Sequence, residues 1–290
     1  MIVILTALEV EYLAVRGQLA GPRPHRHPAG TRFELGEVAG RPVALGLTGA
    51  GNATAAIIAE RAVTEFSPEM VVFVGVAGGL RDWLKIGDIV VATRVYGYHG
   101  ERSEDDGSRI RPRAYETAHE PLETARVLAR SASWRAGLAT DPAVHFEPIA
   151  SGEVVLNSRT SPTARRLDQN FNDAVAVETE GAGVAQCGHL QGGLPTVTIR
   201  GISDHADGHK DSDDKTGSQR LAAQHAALFA RALIGSLDDI GGPRVREPKA
   251  RTAVTVVTNT VNGKSNNSMQ IGTVNGGMHF GPKPDAGDRP

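Results

Sequence analysis

The sequence predicts a three-layer α/β fold, a central mixed, mainly parallel β-sheet covered by helices, followed by a linker and a β-prone tail. Strand-like and helix-like segments alternate through the first 240 residues, the order that generates parallel sheets with helical crossovers. Several of the strand segments are short β-branched runs with almost no polar alternation, as expected of strands buried on both faces. The composition then breaks at Gly241-Gly242-Pro243, which divides the chain into a domain over 1–240, a linker over 241–251 and a tail over 252–290.

Ile2 to Thr6 reads as the first strand and Glu9 to Leu19 as the helix after it. Arg32 to Leu35 and Val43 to Leu47 read as a paired ribbon turning through Gly40-Arg41-Pro42. Gly49-Ala50-Gly51-Asn52 leads into an Ala-rich helix over Ala53 to Glu65, with Asn52 as its expected N-cap. Met70 to Val74 is the most strongly apolar strand and runs into Gly75-Val76-Ala77-Gly78-Gly79. Further strands are expected at Ile89 to Ala92, His145 to Ala150, Ala174 to Val177 and Thr196 to Ile199. Helices are expected at Pro121 to Ala132, Thr160 to Gln169 and, long and amphipathic, Gly217 to Leu237. The small-residue stretch from Gly181 to Ala185 opens one more.

With 290 residues, 40% hydrophobic and 22% charged, the chain can build one large core plus an appendage. A net charge of −2 provides no basic field for nucleic-acid or membrane-surface binding, which leaves small-molecule chemistry. The single Cys187 excludes an internal disulfide framework, and Glu9 and Glu11 interrupt what a secretory leader would keep apolar. No run reaches transmembrane length, so a cytoplasmic location is expected.

Glu180 and Asp204 are the most informative residues, because each follows an apolar run at once. In an open α/β sheet the carboxyl ends of the strands border the ligand crevice, so acids placed there point to chemistry. Glycines in Gly49-Ala50-Gly51 and in the 75–79 string permit either close approach of backbone to a ligand or turns with positive φ. Neither string is a Walker loop or a complete dinucleotide fingerprint. The stretch from Asp204 to Asp214 is rich in His and Asp, including His205, His209, Asp207, Asp211 and Asp213, but its irregular spacing favours a flap or a solvated loop over a metal site. Neither a metal nor another cofactor is expected.

Seven strings in register, TALEVEY (6–12), TGAGN (48–52), VGVAGGL (74–80), IGDIVVA (86–92), SGEVVLN (151–157), AVETEGAG (176–183) and RGISDHAD (200–207), resemble the purine nucleoside phosphorylase and nucleosidase superfamily. They look most like its methylthioadenosine/S-adenosylhomocysteine nucleosidase branch. The resemblance implies a nucleoside phosphorylase-like fold and cleavage of a purine N-glycosidic bond. That reaction builds positive charge on the ribose and negative charge on the base, so it calls for an acid at purine N7, an anchor for the sugar hydroxyls and a nucleophile below C1′. By the family's pattern Asp204 is the acid, steadied by Ser203, Glu180 holds the ribose hydroxyls, and Glu11 orients and deprotonates water. Burial at a strand end would raise the acid's pKa toward neutrality. Gly49, Val76, Ala77, Gly78, Val155, Thr179 and Glu178 fall at substrate-binding positions, with capping of the next helix or a subunit contact as alternatives for Glu178.

Departures from the pattern qualify the expectation. Phosphorylases of this superfamily carry an Arg and a Ser as phosphate ligands where this chain has Phe73 and Val76, which favours water as the nucleophile, since an apolar side chain cannot hold a dianion. The aromatic that stacks on the base is replaced by Val155, and a Met between the two acids by Thr179. Arg109, Arg111 and Arg113 alternate in the 101–116 segment. On one extended strand they would project together and suit the phosphate oxygens of AMP or ATP, while a solvated charged loop is the alternative.

From 252 to 281 only Lys264 is charged, and Thr-Val-Asn-Gly recurs at 260–263 and 273–276. Such a β-branched, Asn-rich, nearly uncharged stretch is prone to cross-β stacking. Its 269–277 region, MQIGTVNGG, resembles the receptor-interacting-kinase homotypic motif and bacterial amyloid signalling motifs, which implies a NOD-like receptor as partner and a role as a recruited effector. A disordered Gly/Asn tail is the alternative. The superfamily resemblance also implies a homo-oligomer. Two rival functions stay open: a nucleoside-binding sensor without turnover, and phosphate-dependent cleavage.

Overall fold

The computed structural model describes residues 1–105, 107–208 and 217–237. The expected linker and amyloid-like tail, and His209, Asp211, Asp213 and Asp214, lie outside the described residues.

Ten strands form one sheet. Its main path runs β11 (Ala176–Glu178), β10 (Val144–Ser151), β6 (Ile89–Gly97), β12 (Thr196–Asp204), β5 (Met70–Gly79), β1 (Ile2–Thr6), β4 (Arg41–Leu47), β3 (Arg32–Val38) and β2 (Ala20–Arg26), while β9 (Arg113–Glu116) pairs with β6. The sheet is mixed: β1 lies parallel to β4 and β5, β12 parallel to β5, and β10 parallel to β6 and β11, whereas β12 meets β6 in antiparallel register. Because β11 also pairs with Gly78 and Gly79 of β5, the strands β5, β12, β6, β10 and β11 close into a ring. That closure brings the ends of β5, β11 and β12 together.

Alternation along the central strands explains the three layers. Ile2, Ile4, Val72 and Val74 face one side, where they meet Val15 of α1 (Glu9–Arg16), Leu122 and Ala125 of α3 (His119–Arg130) and Phe229 and Leu233 of α6 (Ser218–Ser236). Val3, Leu5, Val71 and Phe73 face the other, against Ala55, Ala59 and Ala62 of α2 (Asn52–Phe66) and Val184 of α5 (Gly181–Leu190). Both faces are thus buried, as the unalternating runs predict. Small residues let these layers close. A Cβ on Gly183 would lie 2.0 Å from the Asn52 carbonyl oxygen, and one on Gly201 would lie 2.1 Å from that of Ala222. α4 (Pro162–Asn170) starts on a true cap, with the Ser161 hydroxyl accepting from the Ala164 N–H at 3.1 Å.

Several local expectations are corrected. The β3–β4 turn is Ala39-Gly40, both at positive φ (50° and 80°), and Arg41 and Pro42 already belong to β4. The N-cap of α2 is Gly51 at φ 94°, so Asn52 is inside the helix with its side chain free for other work. The 75–79 glycines continue β5, none at positive φ, so close approach and not turning is what they supply. β2 went unforeseen because Pro22, Pro24 and the lack of any large apolar side chain hide a strand at a solvent-facing sheet edge. Arg109, Arg111 and Arg113 do not share one strand: β7 (Glu101–Glu104) and β8 (Gly107–Ile110) form a separate hairpin carrying Arg109, Pro112 interrupts the run, and Arg113 begins β9.

Candidate active site

A cavity of about 270 Å³ opens where the strand ends meet. Its wall includes Leu8 and Glu11 from α1 and its approach, Val76, Ala77 and Gly78 from β5, Val177 to Glu180 from the β11–α5 junction, and Ser203 and Asp204 from β12. Val154, Val155 and Leu156 close it from the loop after β10. Of the residues singled out in the sequence, Glu11, Glu178, Glu180, Thr179, Ser203, Asp204, Val76, Ala77, Gly78 and Val155 therefore share one cavity. Gly49 does not line it, although its neighbour Ala50 does, and none of Arg109, Arg111 and Arg113 reaches it.

Glu11 sits in the first turn of α1 and is 2% exposed. Its Oε2 accepts from the backbone N–H groups of Ala7 (2.8 Å) and Leu8 (2.9 Å), and its Oε1 from that of Val76 (2.7 Å). Burial drives its pKa above the ordinary carboxylate value, against the opposing pull of Arg200 and those three N–H groups. Val76, whose apolar side chain departs from the family pattern, thus acts on the site through its backbone.

Glu178 caps α5, as one of its alternatives required: its carboxylate accepts from Gly181 N–H at 2.8 Å and from Glu180 N–H at 3.1 Å. Glu180 Oε1 accepts from Gly51 N–H (3.1 Å) and from the Thr179 hydroxyl. Asp204, also in the cavity wall, is 2% exposed, its Oδ2 taking the Ser203 hydroxyl at 2.9 Å and its Oδ1 the Ala206 N–H at 3.0 Å. A Cβ at Gly78 would stand 3.0 Å from Asp204 Oδ1, so this glycine gives the carboxyl its room.

The residue that the sequence reading missed is Arg200, fully buried on β12 behind the carboxylates. Its guanidinium pairs with Glu178 and stands 3.6 Å from both Glu11 Oε1 and Glu180 Oε2, with its carbon 4.1 Å from the centre of the Phe73 ring. Its signal was present: one Arg in an otherwise uncharged run, Thr196-Val-Thr-Ile-Arg-Gly-Ile202. A lone charge in a strand buried on both faces must have partners, and here three acids surround it. Burial works against the charged guanidinium, but Glu178, Glu11 and Glu180 more than offset it and hold the pKa of Arg200 above its ordinary value.

Asn52 was expected as a cap and instead ties three segments together. Its Oδ1 accepts from the Ser151 hydroxyl (2.9 Å) and the Gly183 N–H (2.8 Å), and its Nδ2 donates to the Gly152 carbonyl (3.1 Å). This fixes Gly51, and through it Glu180. Val154 and Val155 are 41% and 64% exposed, an apolar lip with no aromatic ring.

Chemically, the cavity brings together the carboxyl groups of Asp204, Glu180 and Glu11, the last made more basic by its burial. No Lys or Arg appears among the described residues of its wall. Among the described residues no helix is long and apolar enough to cross a membrane.

Over most of its length the chain is similar to known proteins. Residues 1–235 match the model of the Phosphorylase superfamily. The chain is 32% identical over 238 residues to a 5′-methylthioadenosine/S-adenosylhomocysteine nucleosidase of Maridesulfovibrio salexigens, covering 82% of this chain and 98% of that protein. It is 30% identical over 209 residues to the enzyme of the same name from Shewanella halifaxensis, covering 72% and 88% respectively. Among solved structures, the nucleosidase of Neisseria meningitidis in complex with methylthio-immucillin-A superposes with a TM-score of 0.70 at 26% identity, over 81% of this chain and 99% of that one. Futalosine hydrolase of Helicobacter pylori superposes with a TM-score of 0.69 at 25% identity, over 81% and 97%. The chain belongs to the Phosphorylase superfamily, alongside its methylthioadenosine/S-adenosylhomocysteine nucleosidases.

Proposed function

We propose that this protein is a purine nucleosidase that hydrolyses the N-glycosidic bond of an adenine nucleoside with water as the nucleophile. The observation that carries the reading is the convergence of Glu11, Glu180 and Asp204, from three distant parts of the chain, on one cavity. Asp204 protonates purine N7 as the bond to C1′ breaks, so the base leaves neutral. Glu180 accepts hydrogen bonds from the ribose hydroxyls. Glu11 takes a proton from the water that bonds to C1′, and its raised pKa makes it a stronger base than a solvated carboxylate. Arg200 balances part of the negative charge that three carboxylates bring to one place.

The cavity wall of acids and apolar side chains favours an uncharged 5′ end, such as a thioether or a free hydroxyl, over the phosphates of AMP or ATP. It likewise supports hydrolysis over phosphorolysis, because Phe73 is packed beneath Arg200 and Val76 presents no hydroxyl. The test is adenine release from methylthioadenosine, adenosine, inosine, AMP and ATP, with and without phosphate, and with Asp204→Asn as control. Release that needs phosphate would overturn the hydrolytic reading; no release by the unsubstituted protein from any of them would leave a binding protein.

The tail adds a second device to this reading, resting on its sequence alone: the 269–277 motif gathers the enzyme into filaments seeded by a receptor that carries a matching copy, which raises local concentration. Full-length protein that stays unassembled and thioflavin-negative when seeded with such a motif, no differently from Ile271→Asp, would remove it. A homo-oligomer belongs to the same reading, with Ile57 and Leu190 exposed at 54% and 71% on α2 and α5 as apolar surface for it to cover; light scattering reads the mass.

A further inference from the structure

We infer that Arg159 is a positioning residue for the acid at 204, holding the backbone that follows it against the other two segments bordering the cavity. Arg159 lies just beyond the loop that supplies Val154, Val155 and Leu156 and does not itself line the cavity. Its Nε donates to the His205 carbonyl at 2.8 Å, its Nη2 donates to the Gly79 carbonyl at 3.2 Å, and its Nη1 pairs with Asp82. A single planar fork therefore joins the residue after Asp204 to the residue after Gly78, and both to the loop that closes the cavity.

The backbone it grips needs a clamp. Ala206 has φ 51°, a left-handed conformation that costs a residue with a Cβ roughly 1–2 kcal/mol and persists only where the surroundings over-determine it. The Ala206 N–H is the donor to Asp204 Oδ1, so the same turn that carries this strain also aims the acid. Two restraints oppose its relaxation: Ala206 is fully buried beside Leu156 and Val177, and the preceding carbonyl is fixed by Arg159. Gly79 completes the fit, since a Cβ there would lie 3.3 Å from Ile202 Cγ2 and 3.5 Å from the Asp204 carbonyl oxygen. Lysine could place a charge at this point but not three fixed donors, so it should rescue only part of the function.

This inference rests on the reading of Asp204 as the acid, and the experiment separates the two. Each protein is assayed, in one preparation, on methylthioadenosine and on a p-nitrophenyl ribofuranoside, whose leaving group departs without protonation. For Arg159→Ala, adenine release should fall on the order of 10- to 100-fold, as for a misplaced catalytic group. Release of p-nitrophenolate should stay within a factor of roughly three, because it draws nothing from the acid contribution of about 10²- to 10⁴-fold. Arg159→Lys should lie between. The ratio of the two rates does not depend on how much of a variant is folded, so a poorly folding Arg159→Ala still answers. Equal losses on both substrates would reduce Arg159 to a structural tie and overturn the inference, as would no loss on either. If Asp204→Asn, run in parallel, loses both activities equally, the reading of Asp204 is wrong; if it separates them and Arg159→Ala does not, only the role of Arg159 fails.

Discussion

A Cβ on Gly75 would stand 1.8 Å from Arg200 Nη1 and 2.5 Å from Glu11 Oε1, so the buried cation and the basic carboxylate meet in the space where residue 75 has no side chain. The pairing of Glu11 with Arg200 depends on that gap. Gly75→Ala adds a methyl group that neither the β5 backbone nor the fully buried Arg200 can avoid. Overpacking of this kind costs about 1–3 kcal/mol. Chemical denaturation should show that loss, and adenine release should fall with it, since Glu11 and Arg200 must both move. Wild-type stability in the variant would show that Arg200 has another place to go.

Arg200→Met keeps bulk and removes the charge. The carboxylates of Glu11, Glu178 and Glu180 then lose their common partner, and breaking a buried pair typically costs about 3–5 kcal/mol. The loss should be greatest near pH 8 and shrink toward pH 5, because acids without a partner can take up protons instead. Denaturation midpoints across pH 5–8 for both proteins measure this; a deficit independent of pH would mean that packing, and not charge, is what Arg200 contributes.

Glu11 sets a pH dependence whose sign follows from its raised pKa. The native state holds this proton more tightly than the unfolded chain, whose carboxyl has the ordinary value of 4.5. Its contribution to stability is therefore most favourable below that value and is lost as pH rises through the folded pKa. Relative to Glu11→Gln, the wild type should lose stability as pH climbs above the ordinary carboxylate range. Activity runs the other way, since only ionised Glu11 can accept a proton from water: the acid limb of kcat/KM should sit above the usual carboxylate range, and Glu11→Gln should lose about 10²- to 10⁴-fold. An acid limb at the ordinary carboxylate value would assign the base to another group.

Asn52→Ala removes two acceptor bonds and one donor bond that join α2, α5 and the end of β10. Each buried group left unsatisfied costs about 1–3 kcal/mol. Because Gly51 N–H, which donates to Glu180, moves with Asn52, KM for the nucleoside should rise more than kcat falls. An unchanged KM in a folded variant would show that Thr179, at the same oxygen, and Arg200, at the other, hold Glu180 without Gly51.

Much of this protein was legible in one dimension. The order of strands and helices follows from runs such as Met70–Val74 and from the small residues of α5, because burial on both faces and close helix packing restrict which side chains can stand there. Glu180 and Asp204 were conspicuous for a local reason, an acid directly after an apolar strand. The sequence also contained, unread, the lone charge of Arg200 within β12. Polar edge strands such as β2 and the interrupted arginine run around Pro112 escaped, since neither burial nor periodicity marks them.

What the chain alone determined is thus the set of elements and the chemical character of a few strand ends. Only the folded arrangement decided that Glu11, Val76, Glu180 and Asp204 share one cavity, that Gly75 makes way for Arg200, that Asn52 ties and does not cap, and that the 109–113 arginines stand elsewhere. The reason is physical. Strand and helix patterns are imposed by neighbours a few residues apart, whereas distances between groups as far apart in the chain as Glu11 and Val76, or Glu11 and Asp204, are set by sheet closure and by what each buried charge must find as a partner.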